Sequence, residues 1–144
     1  MFEENFTRSL WENFKLEEND FSQFSPLVLA YIGDSVFDLV IKTIQVEKGN
    51  RPVNKINKDV TSIVKAEYQA KMMAIIEEKL DEDEMSVYKR GRNAKSYTTA
   101  KNASVIDYRK ATGFEAVMGY LYLSGRYGRI MELTKEGLGN SNEI

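Results

Sequence analysis

The chain has 144 residues, 42% of them hydrophobic and 29% charged, with a formal net charge of −2 and neither histidine nor cysteine. That is the size of one ordinary domain, too short for two, and the apolar content fits a globular chain. The two missing residue types exclude a disulfide framework, a Ser-His-Asp triad, a cysteine nucleophile and any zinc site built on imidazole or thiolate. Chemistry, if there is any, falls to carboxylates, lysines and hydroxyls, and carboxylates favour hard cations such as Mg²⁺. No apolar run approaches the roughly 20 residues of a membrane span. The acidic start Met1-Phe2-Glu3-Glu4 lacks a secretory signal's basic and apolar stretches, so the expected location is cytoplasmic.

In chain order, Phe6, Leu10, Trp11 and Phe14 suggest a docking helix or arm within an acidic segment, residues 1–24. Ser25-Pro26 has the form of an N-cap followed by proline at the first helical position. Leu29, Ile32, Val36, Leu39 and Val40 then recur at spacings of three and four, and Gly49 offers a stop. Arg51-Pro52 marks a turn. Ile56, Val60, Ile63, Val64, Met72, Ile75 and Ile76 describe one long amphipathic helix reaching about Lys79. Asp81 to Glu84 is the acid-rich first turn of a third helix, with Gly91 suited to its C-terminal cap. From Gly91 to about Ser104 no apolar period exists, which reads as a loop. Phe114, Val117, Met118, Leu121 and Tyr122 mark a core helix ended by Gly125. A short closing helix spans Arg129 to Glu136, and residues 139–144 read as a frayed end. No segment alternates as a strand does, so the expected fold is a single all-α domain over residues 25–138.

The charge is unevenly spread. Lys89, Arg90, Arg92, Lys95, Lys101, Arg109 and Lys110 stand against Asp107 alone, so Lys89 to Lys110 carries +6 and everything else −8. Lys48 to Lys71 is also positive. A polyanion-binding face on an acidic body accounts for this pattern, and so does a solvated surface with patterned charge.

Two acids lie inside apolar helices: Asp34 in Leu27-Val28-Leu29-Ala30-Tyr31-Ile32-Gly33-Asp34-Ser35-Val36-Phe37, and Glu115 in Gly113-Phe114-Glu115-Ala116-Val117-Met118-Gly119. A buried bare charge is costly unless it is paired or bound to metal. Gly33 and Gly119 each weaken a helix by about 1 kcal/mol relative to alanine, which close approach of another helix would explain. Two such helices crossing, each with one inward acid, would make an oxygen-rich site. The alternative is that each acid pairs with a lysine or arginine, or faces water.

The stretch Tyr31-Ile32-Gly33-Asp34-Ser35-Val36-Phe37-Asp38-Leu39 resembles the signature helix of the ribonuclease III family. Phe114-Glu115-Ala116-Val117-Met118-Gly119-Tyr120-Leu121-Tyr122-Leu123 is similar to that family's second acidic motif, in the same order and at a fitting separation. Lys89-Arg90-Gly91-Arg92-Asn93-Ala94-Lys95-Ser96, with Ala100-Lys101-Asn102, resembles the basic loop of the Mini-ribonuclease III subfamily, a catalytic domain without a double-stranded-RNA-binding domain. The resemblance covers about Pro26 to Leu138. It departs from full-length ribonuclease III at Ala30 and Thr112, where acids stand, departures that the mini type shares. Asn57, Asp59 and Ser62 also make the second helix less basic than the mini type's.

The resemblance implies a homodimeric endoribonuclease that hydrolyses double-stranded RNA to 5′-phosphate and 3′-hydroxyl ends. Asp34 and Glu115 would be its catalytic, metal-binding carboxylates, with Mg²⁺ as cofactor and Mn²⁺ as a substitute. Asp38, one turn beyond Asp34, matches a position that is not a ligand and reads as half of a surface pair. Arg90, Arg92, Asn93, Lys95 and Lys101 would contact RNA, and Tyr97 is a weaker candidate. Leu27, Val28 and Tyr31 would suit the dimer interface, although they fit packing inside one subunit as well. The implied substrate is the duplex at the ends of precursor large-subunit (23S) ribosomal RNA, with the large ribosomal subunit or one of its proteins as a partner. The alternatives are a catalytically inert module that binds double-stranded RNA and a helical dimeric scaffold.

Overall fold

Seven α-helices and two short 3-10 turns, with no strand, make up the described residues, 4–94 and 104–139, of the computed structural model. The helices are α1 (Phe6–Asn13), α2 (Pro26–Glu47), α3 (Val53–Val64), α4 (Ala66–Ile76), α5 (Glu82–Asn93), α6 (Val105–Leu123) and α7 (Tyr127–Leu138). The all-α class read from the sequence is the class observed.

α6 is the central helix, and α2, α4, α5 and α7 pack around it. Its six consecutive residues Ala116 to Leu121 are all buried, because a helix apolar all round has to be covered all round. Phe37 of α2 meets Phe114 of α6 edge to face, with ring centroids 5.0 Å apart. Gly125, at φ +73°, ends α6: its N–H donates to the Tyr122 carbonyl and that of Arg126 to the Leu121 carbonyl, a Schellman closure.

Four expectations are corrected. The long helix expected over Ile56 to Ile76 and on to about Lys79 is two, because Lys65 is extended at ψ 153° and serves as the start of α4. Val60 and Ile63 of α3 are buried beside α2, while Ala70, Met72, Met73 and Ile76 of α4 are buried beside α6. One straight rod could not reach both, and Ile75 is left exposed. Gly91 does not cap α5. It lies inside the helix, where an added Cβ would stand 2.9 Å from the Gly113 Cα, so its task is close packing on α6.

The third correction concerns α2, which is buried at Leu29, Ala30, Gly33, Phe37, Ile41 and Gln45. Leu39, expected in the core, is 60% exposed on an outward stripe with Val28, Tyr31 and Val46. The helix is thus apolar on two faces, and one chain covers only one of them. Fourth, α7 runs further in both directions than Arg129 to Glu136. At the N-terminus, α1 buries no residue fully and docks through Trp11, whose ring meets Tyr122 at 6.1 Å.

Candidate active site

Asp34 lies midway along α2 and Glu115 midway along α6, and the glycines beside them set how closely the two helices cross. A Cβ on Gly33 would stand 1.7 Å from the Glu115 carbonyl oxygen, and one on Gly119 would stand 1.9 Å from the Leu29 carbonyl oxygen. The helices therefore touch backbone to backbone, as the two glycines had suggested, and no other residue fits either position. This crossing brings the two carboxyl groups into hydrogen-bonding contact. Glu115 forms the half-buried side of the pair and Asp34 the exposed side.

The electrostatics of the pair are one-sided. Among the described residues, neither carboxylate is in an ion pair with a lysine or arginine. The Glu115 carboxyl is pushed up to about 9, first by burial, then by the hydrogen bond and charge of Asp34. Burial and the neighbouring acid favour the protonated form of the Glu115 carboxyl, and a divalent cation can take that proton's place. The donor set fits Mg²⁺ or Mn²⁺: hard oxygen ligands, two in number, at a mouth that water and a phosphate can reach, which is how Mg²⁺ is commonly held. No third acid joins the pair among the described residues. Ala30 is buried, and the Thr112 hydroxyl donates to the Tyr108 carbonyl at 3.0 Å.

One neighbour of the pair escaped the sequence reading. Gln69 of α4 is 2% exposed, and its side-chain amide reaches Glu115, where it opposes the upward shift. A glutamine on the buried side of α4, next to Ala70 and one turn before Met72 and Met73, was the available signal. Asp38 forms an i,i+4 ion pair with Lys42 at 2.8 Å and does not join the site.

The basic candidates divide. Both terminal nitrogens of Arg90 donate to the chain's own backbone, to the Ser22 carbonyl and, at 2.6 Å, to the Phe24 carbonyl. Arg90 thus fastens the segment before α2 to the end of α5. Arg92 is half-buried, its guanidinium 5.6 Å from the centre of the Tyr88 ring and its Nε donating to the Asn93 Oδ1 at 3.3 Å. Asn93 is exposed at the end of α5. Lys95, Tyr97 and Lys101 lie outside the described residues. Leu27, Val28 and Tyr31 are all exposed, Tyr31 at 81%.

The ribonuclease III domain family matches residues 27–126, a span that holds both carboxylates, Gln69 and the basic stretch from Lys89 to Lys110. A Mini-ribonuclease 3 of Clostridium tetani is 49% identical over 119 residues, covering 82% of this chain and 79% of that one. This chain belongs to the Mini-ribonuclease 3 family. A Mini-ribonuclease 3 of Enterococcus faecalis is 43% identical over 129 residues, 86% of this chain and 98% of its own length. A protein of Fusobacterium nucleatum, known from an X-ray crystal structure, superposes with a TM-score of 0.78 at 28% identity, covering 88% of this chain and 97% of that one. Family membership makes the chain an endoribonuclease of the ribonuclease III type, a family that uses divalent metal ions and acts on double-stranded RNA. No helix among the described residues is long and apolar enough to cross a membrane.

Proposed function

We propose that this chain cleaves double-stranded RNA as a two-fold homodimer, with Asp34 and Glu115 as the catalytic, metal-binding residues of each subunit. One observation carries the reading: the Gly33 and Gly119 contacts bring two acids together at a solvent-facing edge where, among the described residues, no basic side chain neutralises them. Asp34 and Glu115 would hold Mg²⁺, with Mn²⁺ as a substitute, and the bound ion supplies a water of lowered pKa and offsets charge on the leaving oxygen. The chain contributes orientation: Glu115 is fixed in the core-facing wall, and Asp34 stands where a phosphate arrives from solvent.

Arg90, Arg92, Asn93, Lys95 and Lys101 are the proposed RNA contacts. Basic and amide groups suit the phosphates and 2′-hydroxyls of an A-form duplex. The second apolar face of α2 supports the dimer, since soluble proteins seldom leave contiguous apolar stripes uncovered. Leu27, Val28 and Tyr31 are its proposed core, and one site per subunit would let the pair cut both strands. The family's role points to precursor 23S ribosomal RNA in the cytoplasm as substrate, with the large ribosomal subunit or one of its proteins as a partner.

The test is cleavage of long duplex RNA in Mg²⁺ or EDTA by the parent chain, Asp34→Asn and Glu115→Gln. Each substitution, like EDTA, is expected to lower the rate by about 10³-fold or more, equivalent to about 4 kcal/mol of lost transition-state stabilisation. Cleavage surviving both substitutions would sink the assignment, and binding without cleavage by the parent in Mg²⁺ would favour an inert RNA-binding module.

A further inference from the structure

The buried polar side chains of the core have visible partners, with Gln69 and the Thr134 hydroxyl as exceptions. Gln45 meets the Arg51 guanidinium, and Glu84 that of Arg129. The Gln69 Nε2 is buried and completes no well-formed hydrogen bond, yet the group that its amide reaches is the Glu115 carboxyl. An amide kept in a core without full satisfaction is costly, whereas a leucine or methionine would fill similar space without that cost. A glutamine at this point is therefore explained by what it does for Glu115 and not by packing.

We propose that Gln69 is a positioning residue for Glu115: its buried Nε2, which has no other hydrogen-bond partner, would donate to the carboxylate once a cation charges the pair and fix its rotation, leaving the remaining oxygen lone pairs toward Asp34 and that cation. The inference rests on the reading of Asp34 and Glu115 as a cation site. Ligating carboxylates commonly depend on such outer hydrogen bonds, and losing one costs about 10- to 100-fold in metal affinity. α4 thus belongs to the site as well as to the core, and the bend at Lys65 is what turns it toward α6.

The experiment uses Gln69→Leu and Gln69→Met in the full chain, beside Asp34→Asn and Glu115→Gln. Mn²⁺ affinity is measured calorimetrically without RNA, and Tm in EDTA reports folding. Both Gln69 variants are expected to fold in EDTA with Tm no lower than the parent's and to bind Mn²⁺ about 10- to 100-fold more weakly. In cleavage assays their kcat should fall at limiting Mg²⁺ and recover at high Mg²⁺, with KM for duplex RNA unchanged. A folded variant whose Mn²⁺ affinity stays within about twofold of the parent's would overturn the proposal. So would failure of both variants to fold in EDTA, which would make Gln69 a core residue only. If Asp34→Asn and Glu115→Gln also keep their Mn²⁺ affinity, the cation reading itself fails; if those two lose it and the Gln69 variants do not, only this inference does.

Discussion

Glu84 is wholly buried and Glu115 half-buried, and the molecule treats the two glutamates in opposite ways. Glu84, at the start of α5, has no exposed surface, and its carboxylate receives two hydrogen bonds of 2.8 Å from the Arg129 fork of α7. Its Oε1 also accepts from the Asp81 N–H, closing a capping box, and Arg126 stands 3.5 Å away. Burial there is compensated from every side, and the hydrogen bonds and charge of Glu84 raise the Arg129 pKa still further above its high ordinary value. Glu115 has another acid for its closest partner and one imperfectly placed amide. The first carboxylate joins two helices. The second is left in need of positive charge, as a cation-binding site requires.

Closing the gap that separates the two cases begins with the backbone. Gly33→Ala or Gly119→Ala would drive a methyl group into a carbonyl oxygen of the facing helix, so α2 and α6 would have to part. The expected outcome is a loss of at least about 3 kcal/mol in urea unfolding, above the usual cost of overpacking, together with loss of cleavage. A Gly119→Ala protein with parental stability would show that the crossing is looser than described.

Next in size is Glu84→Ala. Removing one partner of a buried ion pair leaves the arginine uncompensated and costs about 3 kcal/mol, measured by urea unfolding, while the Mn²⁺ affinity of the folded protein stays near parental. If Mn²⁺ affinity collapsed as well, the two carboxylates would not be independent of each other.

The third effect has the opposite sign. The Glu115 carboxyl titrates at about 9 in the folded chain against an ordinary 4.5. Because the folded value is the raised one, its contribution to stability is complete below about pH 4.5 and is lost as pH rises toward about 9. Glu115→Gln escapes that loss, so in EDTA it should be more stable than the parent at pH 8 and match it at pH 4. Equal stability of the two proteins across this range would mean that Glu115 is not under electrostatic stress.

The same contrast explains what could be read from the sequence. The all-α class, the two acids in apolar helices and the reason for Gly33 and Gly119 were legible, because periodicity and the cost of a glycine are local properties. Glu84 gave only half its story: the acid-rich turn was visible, but Arg129, 45 residues later, could not be matched to it without the fold. The break at Lys65 was hidden because apolar residues on both sides of it keep helical spacing, although none of the long aliphatic residues falls between Val64 and Met72. Gly91 looked like a cap because a glycine near a helix end usually is one, and only the facing Gly113 shows otherwise. Arg90 counted as a loop cation until its donors were seen on the Ser22 and Phe24 carbonyls.

The central claim, that the α2–α6 crossing makes an acid pair completed by a cation, is tested most directly by counting protons. Mn²⁺ is titrated into the RNA-free chain at pH 7.5 by calorimetry in two buffers of different ionisation enthalpy. With Glu115 at about 9, binding should release about one proton per site, and Glu115→Gln should bind far more weakly and release none. Binding without proton release in the parent, or undiminished binding by Glu115→Gln, would contradict the account.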